Sequence, residues 1–266
     1  MIWLSVIILA VVQGIVEFLP ISSSGHLLIL KELLELDAPG VRLEVVLHLG
    51  TLIAVILYYR RRLATLVIGS LRFEKSSLYM VGLLALSVVP AGLIWLVSGR
   101  YLEPLIADRR TGAFVAALLL WITGLLLLSA RHAKGDEKTF TLKRAWWIGV
   151  AQGFAVFPGI SRSGSTITIG RHLGLSAEAA VEFSFLMSIP VLLASAVVDF
   201  FIKNHEEIIH SPLTNTHYLV GAAISATVGY LAIGALVRLL GRGRYAIFAI
   251  YCFCAGGIAL LWLLFN

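Results

Sequence analysis

The sequence predicts an all-α integral membrane protein, built as an inverted-topology repeat with six transmembrane helices and two re-entrant broken-helix hairpins. Three observations carry this expectation. Of 266 residues, 59% are hydrophobic and only 14% charged, with a mean hydropathy of +0.93. A soluble domain carries roughly a quarter charged residues, so the solvent here is lipid. Six apolar runs reach the ~17–25 residues that a bilayer crossing needs, and two further apolar stretches are interrupted by Pro, Gly and Ser at mid-length. Those two stretches are copies of each other, offset by 139 positions.

In chain order, the first broken stretch occupies 1–36. It opens Met1-Ile2-Trp3-Leu4 with no basic residue ahead and no small-residue cleavage site behind, so it is expected to persist as a hairpin rather than leave as a signal peptide. Spans at 43–59, 78–98 and 113–130 complete a first repeat, 1–130. A second repeat, 145–266, has its hairpin at 145–177 and spans at 180–202, 217–238 and 245–265, and the whole chain forms one membrane domain. Non-helical backbone persists at membrane depth only where protein or a water-filled cavity satisfies its polar groups, so the two breaks are where function is expected. Cys252 and Cys254 lie two apart in an apolar run and face opposite sides of a helix, which excludes a disulfide or a metal pair.

The copies align Val12-Gln13-Gly14-Ile15-Val16-Glu17-Phe18-Leu19-Pro20-Ile21-Ser22-Ser23-Ser24-Gly25-His26 with 151–165 without a gap, repeating Gln, Gly, Phe, Ile, Ser, Ser and Gly. Apolar matches are cheap between two lipid-facing segments; the shared Gln-Gly and Ser-x-Ser-Gly are not. Thirteen of the 21 Lys and Arg fall in 60–75, 131–144 and 238–244, against six in 31–42, 99–112 and 201–216. Putting the richer set in the cytoplasm lets all six spans alternate and makes the repeats inverted. The first hairpin then enters from outside and the second from the cytoplasm, meeting near the midplane. The same loop placement accounts for the net charge of +6 without a nucleic-acid partner.

Each break reads as a turn before a helix: Ser22-Ser23-Ser24-Gly25 before a helix starting near His26, and Ser161-Arg162-Ser163-Gly164 before one starting near Ser165. Helix N-termini offer free N–H groups and partial positive charge, and serine hydroxyls add adjustable donors, so two such ends make an anion cradle. Simple capping is the competing role for any one serine. The charged residues tip the balance. Across the repeat Glu17 faces Val156, Ser23 faces Arg162 and His26 faces Ser165, so one half brings a carboxylate and an imidazole, the other a guanidinium. A cation at membrane depth costs at least ~2.5 kcal/mol unpaired, and the guanidinium fork suits phosphate, with a structural ion pair to Glu17 as the alternative. Gln13 and Glu17 share a helical face, where a carboxylate holds a hard divalent cation or acts as a base. His48 is expected outside the site, because its repeat equivalent is apolar Leu186 or Met187. Glu44 and Glu182 are read as helix-start acids.

At Gln13-x-x-x-Glu17, Pro20-x-Ser22-Ser23-x-Gly25-His26 and Pro158-Gly159-Ile160-Ser161-Arg162-Ser163-Gly164-x-Thr166, the sequence resembles the undecaprenyl-diphosphate phosphatase family, the group linked to bacitracin resistance. The likeness covers essentially the whole chain, including Glu182-Phe183-Ser184-Phe185. It implies a metal-dependent phosphatase converting a C55 polyprenyl diphosphate to its monophosphate at the outer face of the bacterial plasma (inner) membrane, recycling the lipid carrier of cell-wall synthesis. It also implies a homodimer. By position it places the acidic motif on Gln13 and Glu17, the serine–histidine motif on Ser23 and His26, and the arginine motif on Ser161, Arg162 and Thr166. Gln13 departs from the glutamate of many relatives, which leaves more of the coordination of a divalent cation (Mg2+ or Ca2+) to substrate and water.

Phosphoryl transfer demands in-line positioning and charge neutralisation, which Arg162, Ser161, Ser163, Gly164 and Thr166 supply from one turn and Ser22, Ser24 and Gly25 from the other. The nucleophile stays open: Ser23 with His26 as base, or His26 activating water or attacking directly. A carrier or flippase of a polyprenyl phosphate lipid is the alternative class, since inverted repeats with broken helices are a usual transporter build. Glu17 and His26 favour the hydrolase, which needs a base and a metal ligand besides anion capture.

Overall fold

The structure, a computed structural model, describes residues 2–33, 40–133, 135–198 and 213–265. The expected hairpin end at 34–36, the span end at 199–202, Lys134 and Lys203 lie outside the described residues. The described residues form eleven helices, with one isolated bridge, Glu137 to Leu175, as their only β-type pairing.

The first broken stretch is α1 (Ile2–Val16) and α2 (Ser23–Leu33); the second is α7 (Leu142–Phe154) and α8 (Arg162–His172). Between them run α3 (Gly40–Tyr58), α4 (Arg60–Leu71), α5 (Lys75–Ala107) and α6 (Arg109–Ala130), and after them α9 (Ala177–Val198), α10 (Asn215–Gly241) and α11 (Tyr245–Phe265). Five of these, α5, α6, α9, α10 and α11, are long and apolar enough to cross a membrane alone. The sixth expected span, 43–59, falls in α3, which is long and apolar enough only together with α4, the two meeting at 76°.

Three sequence expectations need correction. Segment 60–75 was expected as a cationic loop, yet Arg60–Leu71 is helical. Arginine is a good helix former and its long stem lies over apolar surface while the head stays solvated, so a run of cations does not end a helix. Segment 99–112 was also expected as a loop, yet α5 continues to Ala107 and α6 starts at once behind Asp108, whose carboxylate accepts from Thr111 N–H at 2.8 Å. Glu44 and Glu182 are not helix-start acids. Each sits several residues into its helix, Glu44 pairing with Lys31 and Glu182 accepting from Arg62 Nε at 2.8 Å.

Packing follows membrane logic. Large apolar side chains such as Leu96, Ile122, Leu231, Ile250 and Leu264 face outward, whereas Gln13, Thr51, Ser87, Thr123, Ser184, Ser188 and Ser225 are buried. Helices approach closely at small residues, as where Gly14 meets Val228 and the Ser225 carbonyl, which is how helices gain contact without a hydrophobic drive between them. α10 packs on α1 and α3, α11 on α6, and α5 on α7, while α6 also supports both α2 and α8. The two short helices that follow the breaks are thus held against one common helix.

Candidate active site

Both short helices start three residues earlier than the sequence reading placed them, at Ser23 and Arg162 rather than near His26 and Ser165. The cause is capping. Ser161 Oγ accepts from Gly164 N–H at 3.0 Å and Ser22 Oγ from Gly25 N–H at 3.4 Å, so Ser22 and Ser161 are the caps and their successors open the helices. Ser23 and Arg162, equivalent in the sequence repeat, therefore stand at matching first positions of α2 and α8.

The breaks touch. Gly159 N–H donates to Ser22 Oγ at 3.1 Å, and Ser163 Oγ donates to the Leu19 carbonyl at 3.2 Å. Thr123 of α6 donates to the Gly159 carbonyl at 2.7 Å and accepts from Ser161 N–H at 2.9 Å. Backbone freed by the second break is thereby satisfied inside the protein. Gly159 has φ +99°, and a β-carbon there would run into the Ala116 carbonyl and Leu119, so this turn needs glycine.

Glu17, 6% exposed, is the hub that this junction creates. Its Oε2 accepts from Ser23 Oγ at 2.7 Å and Gln13 Nε2 at 3.0 Å, and its Oε1 pairs with Arg162 Nη2. Arg162 Nη1 is buried and has no partner. His48, which the sequence reading set aside, comes in: its Nε2 lies 3.6 Å from Glu17 Oε2. Its Nδ1, 2.7 Å from the Glu44 carbonyl, carries the hydrogen, because a carbonyl can only accept. The signal that could have found His48 was the one used for Glu17, since both replace an apolar residue of the opposite repeat.

The remaining expected residues sort differently. His26 is tied away from Glu17, with Nδ1 donating to the Ser22 carbonyl at 2.7 Å and Nε2 accepting from Tyr251 OH at 2.9 Å. Thr166 Oγ1 lies 2.9 Å from the Arg162 carbonyl and 2.7 Å from Ser184 Oγ, a donor and an acceptor role respectively. Ser161 and Ser163 hydroxyls sit 3.3 Å apart within the same turn, and Ser24 stands exposed beside Ser22. An apolar groove of about 620 Å³ runs from His26 and Tyr251 between α1, α2 and α11, past Leu19, Leu30 and Trp262.

For a divalent cation, no group of three His, Cys, Asp or Glu side chains converges among the described residues. Beside Glu17, however, Gln13 gives its Nε2 to the carboxylate and keeps Oε1, a fully buried oxygen without a partner. One carboxylate and one amide oxygen fit an ion that takes its other ligands from phosphate oxygens and water.

A multi-pass membrane protein with a buried carboxylate, serine and arginine at the junction of two broken helices is the class these features define. The chain belongs to the bacitracin resistance protein BacA family, which it matches over residues 6–258. It is 35% identical to an undecaprenyl-diphosphatase of Halothermothrix orenii over 94% of both chains. It is 34% identical to undecaprenyl-diphosphatase 2 of Burkholderia thailandensis, covering 98% of this chain and 96% of that one. It is likewise 34% identical to an undecaprenyl-diphosphatase of Methanosphaera stadtmanae, over 97% of each.

Proposed function

We propose that the chain hydrolyses undecaprenyl diphosphate to the monophosphate and orthophosphate, with Ser23 as nucleophile and Glu17 as acceptor of its proton. The observation that carries the mechanism is the 2.7 Å hydrogen bond from Ser23 Oγ to Glu17. A hydroxyl already donating to a buried carboxylate is the arrangement of an activated nucleophile with an adjacent base. His26, occupied by Ser22 and Tyr251, is less well placed for that proton. Ser23 Oγ attacks the terminal phosphorus as its proton passes to Glu17, and the bond to the bridging oxygen breaks, releasing the lipid monophosphate. Glu17 passes that proton to the departing monophosphate. Water then attacks the phosphoserine, giving one proton to Glu17, which returns it to Ser23 Oγ as the Ser23–phosphorus bond breaks and hydrogen phosphate leaves with the other. Arg162 holds Glu17 through Nη2 and leaves Nη1 for the transferring phosphoryl oxygens, where fixed charge lowers the barrier most. A divalent cation held by Glu17 and Gln13 Oε1 would neutralise diphosphate charge.

The same proposal covers the setting. The polyprenyl chain lies in the groove that begins at His26, with its remainder in the bilayer. The sequence copies form two inverted repeats, 1–130 and 145–266, with two re-entrant hairpins in one membrane domain. The site opens to the outer face of the inner membrane, where it recycles the cell-wall carrier and confers bacitracin resistance. The functional unit is a homodimer.

Ser23→Ala, purified in detergent beside wild type, tests the reading through phosphate release from undecaprenyl diphosphate. Loss of the nucleophile, which leaves Glu17 no hydroxyl proton to accept, is expected to lower kcat at least ~100-fold. Wild-type turnover in a folded Ser23→Ala would remove the serine route.

A further inference from the structure

The chemistry at Ser23 leaves the Gln152 amide unused. A cavity of about 340 Å³ lies between α5, α7, α8 and α9, and Arg162 is the only member of the Glu17 cluster that lines it. Its wall is mostly apolar, from residues such as Val88, Ala91, Val156 and Val191, with Gln152 as the other strongly polar side chain. Gln152 is 4% exposed, and neither its amide nitrogen nor its amide oxygen has a partner; Arg162 Nη1 has none either. A buried polar group left unmade is costly, and these three belong to two residues that line one cavity, so a ligand there would relieve them.

The repeat explains why Gln152 is vacant. Its sequence equivalent, Gln13, spends its Nε2 on Glu17, but the residue equivalent to Glu17 is Val156. Gln152 thus keeps the amide and has lost the carboxylate. The ligand must accept from a guanidinium and an amide N–H and also donate to an amide oxygen. Among the described residues no acidic side chain lines the cavity, and Arg162 brings a cation to it, so the ligand is an anion that carries a hydroxyl. At ~30 Å³ per water, the volume suits a small hydrated species and is far too small for a long prenyl chain.

We propose that Gln152 and Arg162 form an orthophosphate site, which receives the phosphate released at Ser23. The proposal rests on the hydrolase reading for the origin of its ligand. In it, P–O oxygens accept from Arg162 Nη1 and Gln152 Nε2, and a P–OH donates to Gln152 Oε1. Arg162 hands the product from the Glu17 side to the cavity without releasing Glu17.

The test is 31P relaxation of inorganic phosphate titrated onto detergent-purified protein without lipid substrate, with phosphate inhibition of hydrolysis measured in parallel. Wild type should bind saturably. Gln152→Leu removes the amide, and Gly92→Leu extends a side chain from a lining position with nothing within 4 Å of its β-carbon. Both should weaken phosphate binding about tenfold or more, the scale of one hydrogen bond to a charged group. Neither should lower the unfolding temperature, because one deletes an unsatisfied polar group and the other replaces a helical glycine. Absence of saturable binding to wild type, or wild-type affinity in both variants, would overturn the site. Failure of the hydrolase reading would show separately, as wild-type protein releasing no phosphate from the lipid diphosphate.

Discussion

Replacing Arg162 by lysine separates charge from geometry at the centre of the site. The guanidinium serves two directions at once, with Nη2 on Glu17 Oε1 and Nη1 buried and free. An ammonium keeps the charge that Glu17 needs but is a single point, and cannot hold the carboxylate and a phosphoryl oxygen in the same fixed fork. The loss is then one charge-assisted hydrogen bond, about 1.5–3 kcal/mol, or roughly 10- to 150-fold at ~1.4 kcal/mol per decade. It should appear in kcat if Nη1 acts on the transition state. Lysine is the informative choice, because an apolar residue would leave Glu17 buried and unpaired at about 3–5 kcal/mol of stability. The assay is phosphate release from undecaprenyl diphosphate, with thermal unfolding of the same preparation as the control for folding. Arg162→Lys with near-normal kcat and normal unfolding would show that only charge is needed, and the two-direction account would fail.

Hydrolysis should vanish in EDTA and return with magnesium or calcium, and Gln13→Glu should lower the cation concentration giving half-maximal activity; full turnover in chelator would remove the ion. Gly159→Ala should reduce stability by more than the ~1–3 kcal/mol of backbone strain at φ +99°, since its β-carbon also meets the Ala116 carbonyl and Leu119; an unchanged unfolding curve would contradict that packing. For topology, single cysteines at Arg109, Asn215 and Lys138 in a background lacking Cys252 and Cys254 can be probed with impermeant maleimide on spheroplasts. The first two should label and Lys138 should not, and the reverse would turn the site toward the cytoplasm.

The sequence made the membrane class and the two breaks legible because both rest on costs that composition cannot hide. Long apolar runs leave no other solvent, and polar strings such as Ser161-Arg162-Ser163-Gly164 inside them need internal partners. The pairing of Glu17 with Arg162 was visible for the same reason, although only as one of two alternatives. What escaped depends on distance in the chain. Thr123 is one hydroxyl in an apolar helix, and nothing local marks it as the group that stitches the second break through Gly159 and Ser161. His48 was set aside by requiring a polar equivalent in the other repeat, a requirement that Glu17 itself does not meet. Reading α4 as a loop mistook solvated arginines for absence of helix.

That asymmetry has a physical cause at the junction. The shared positions, Ser22 with Ser161 and Gly25 with Gly164, cap the two short helices in the same way, and Ser22 also bonds across to Gly159. Where two copies of a segment meet at their breaks, any ionisable side chain near the contact risks facing its own equivalent. Two carboxylates there would repel in a medium that screens them poorly, driving one to its neutral form, and two guanidinium groups, which stay charged, would repel without that relief. Replacing one copy removes the conflict: Val156 stands where a second Glu17 would, and Ser23 where a second Arg162 would. The surviving groups then complement each other, with serine and arginine from equivalent helix starts both on one carboxylate. Duplicated capping supplies the scaffold, and divergence at the charged positions is what lets a carboxylate, a hydroxyl and a guanidinium share one buried site.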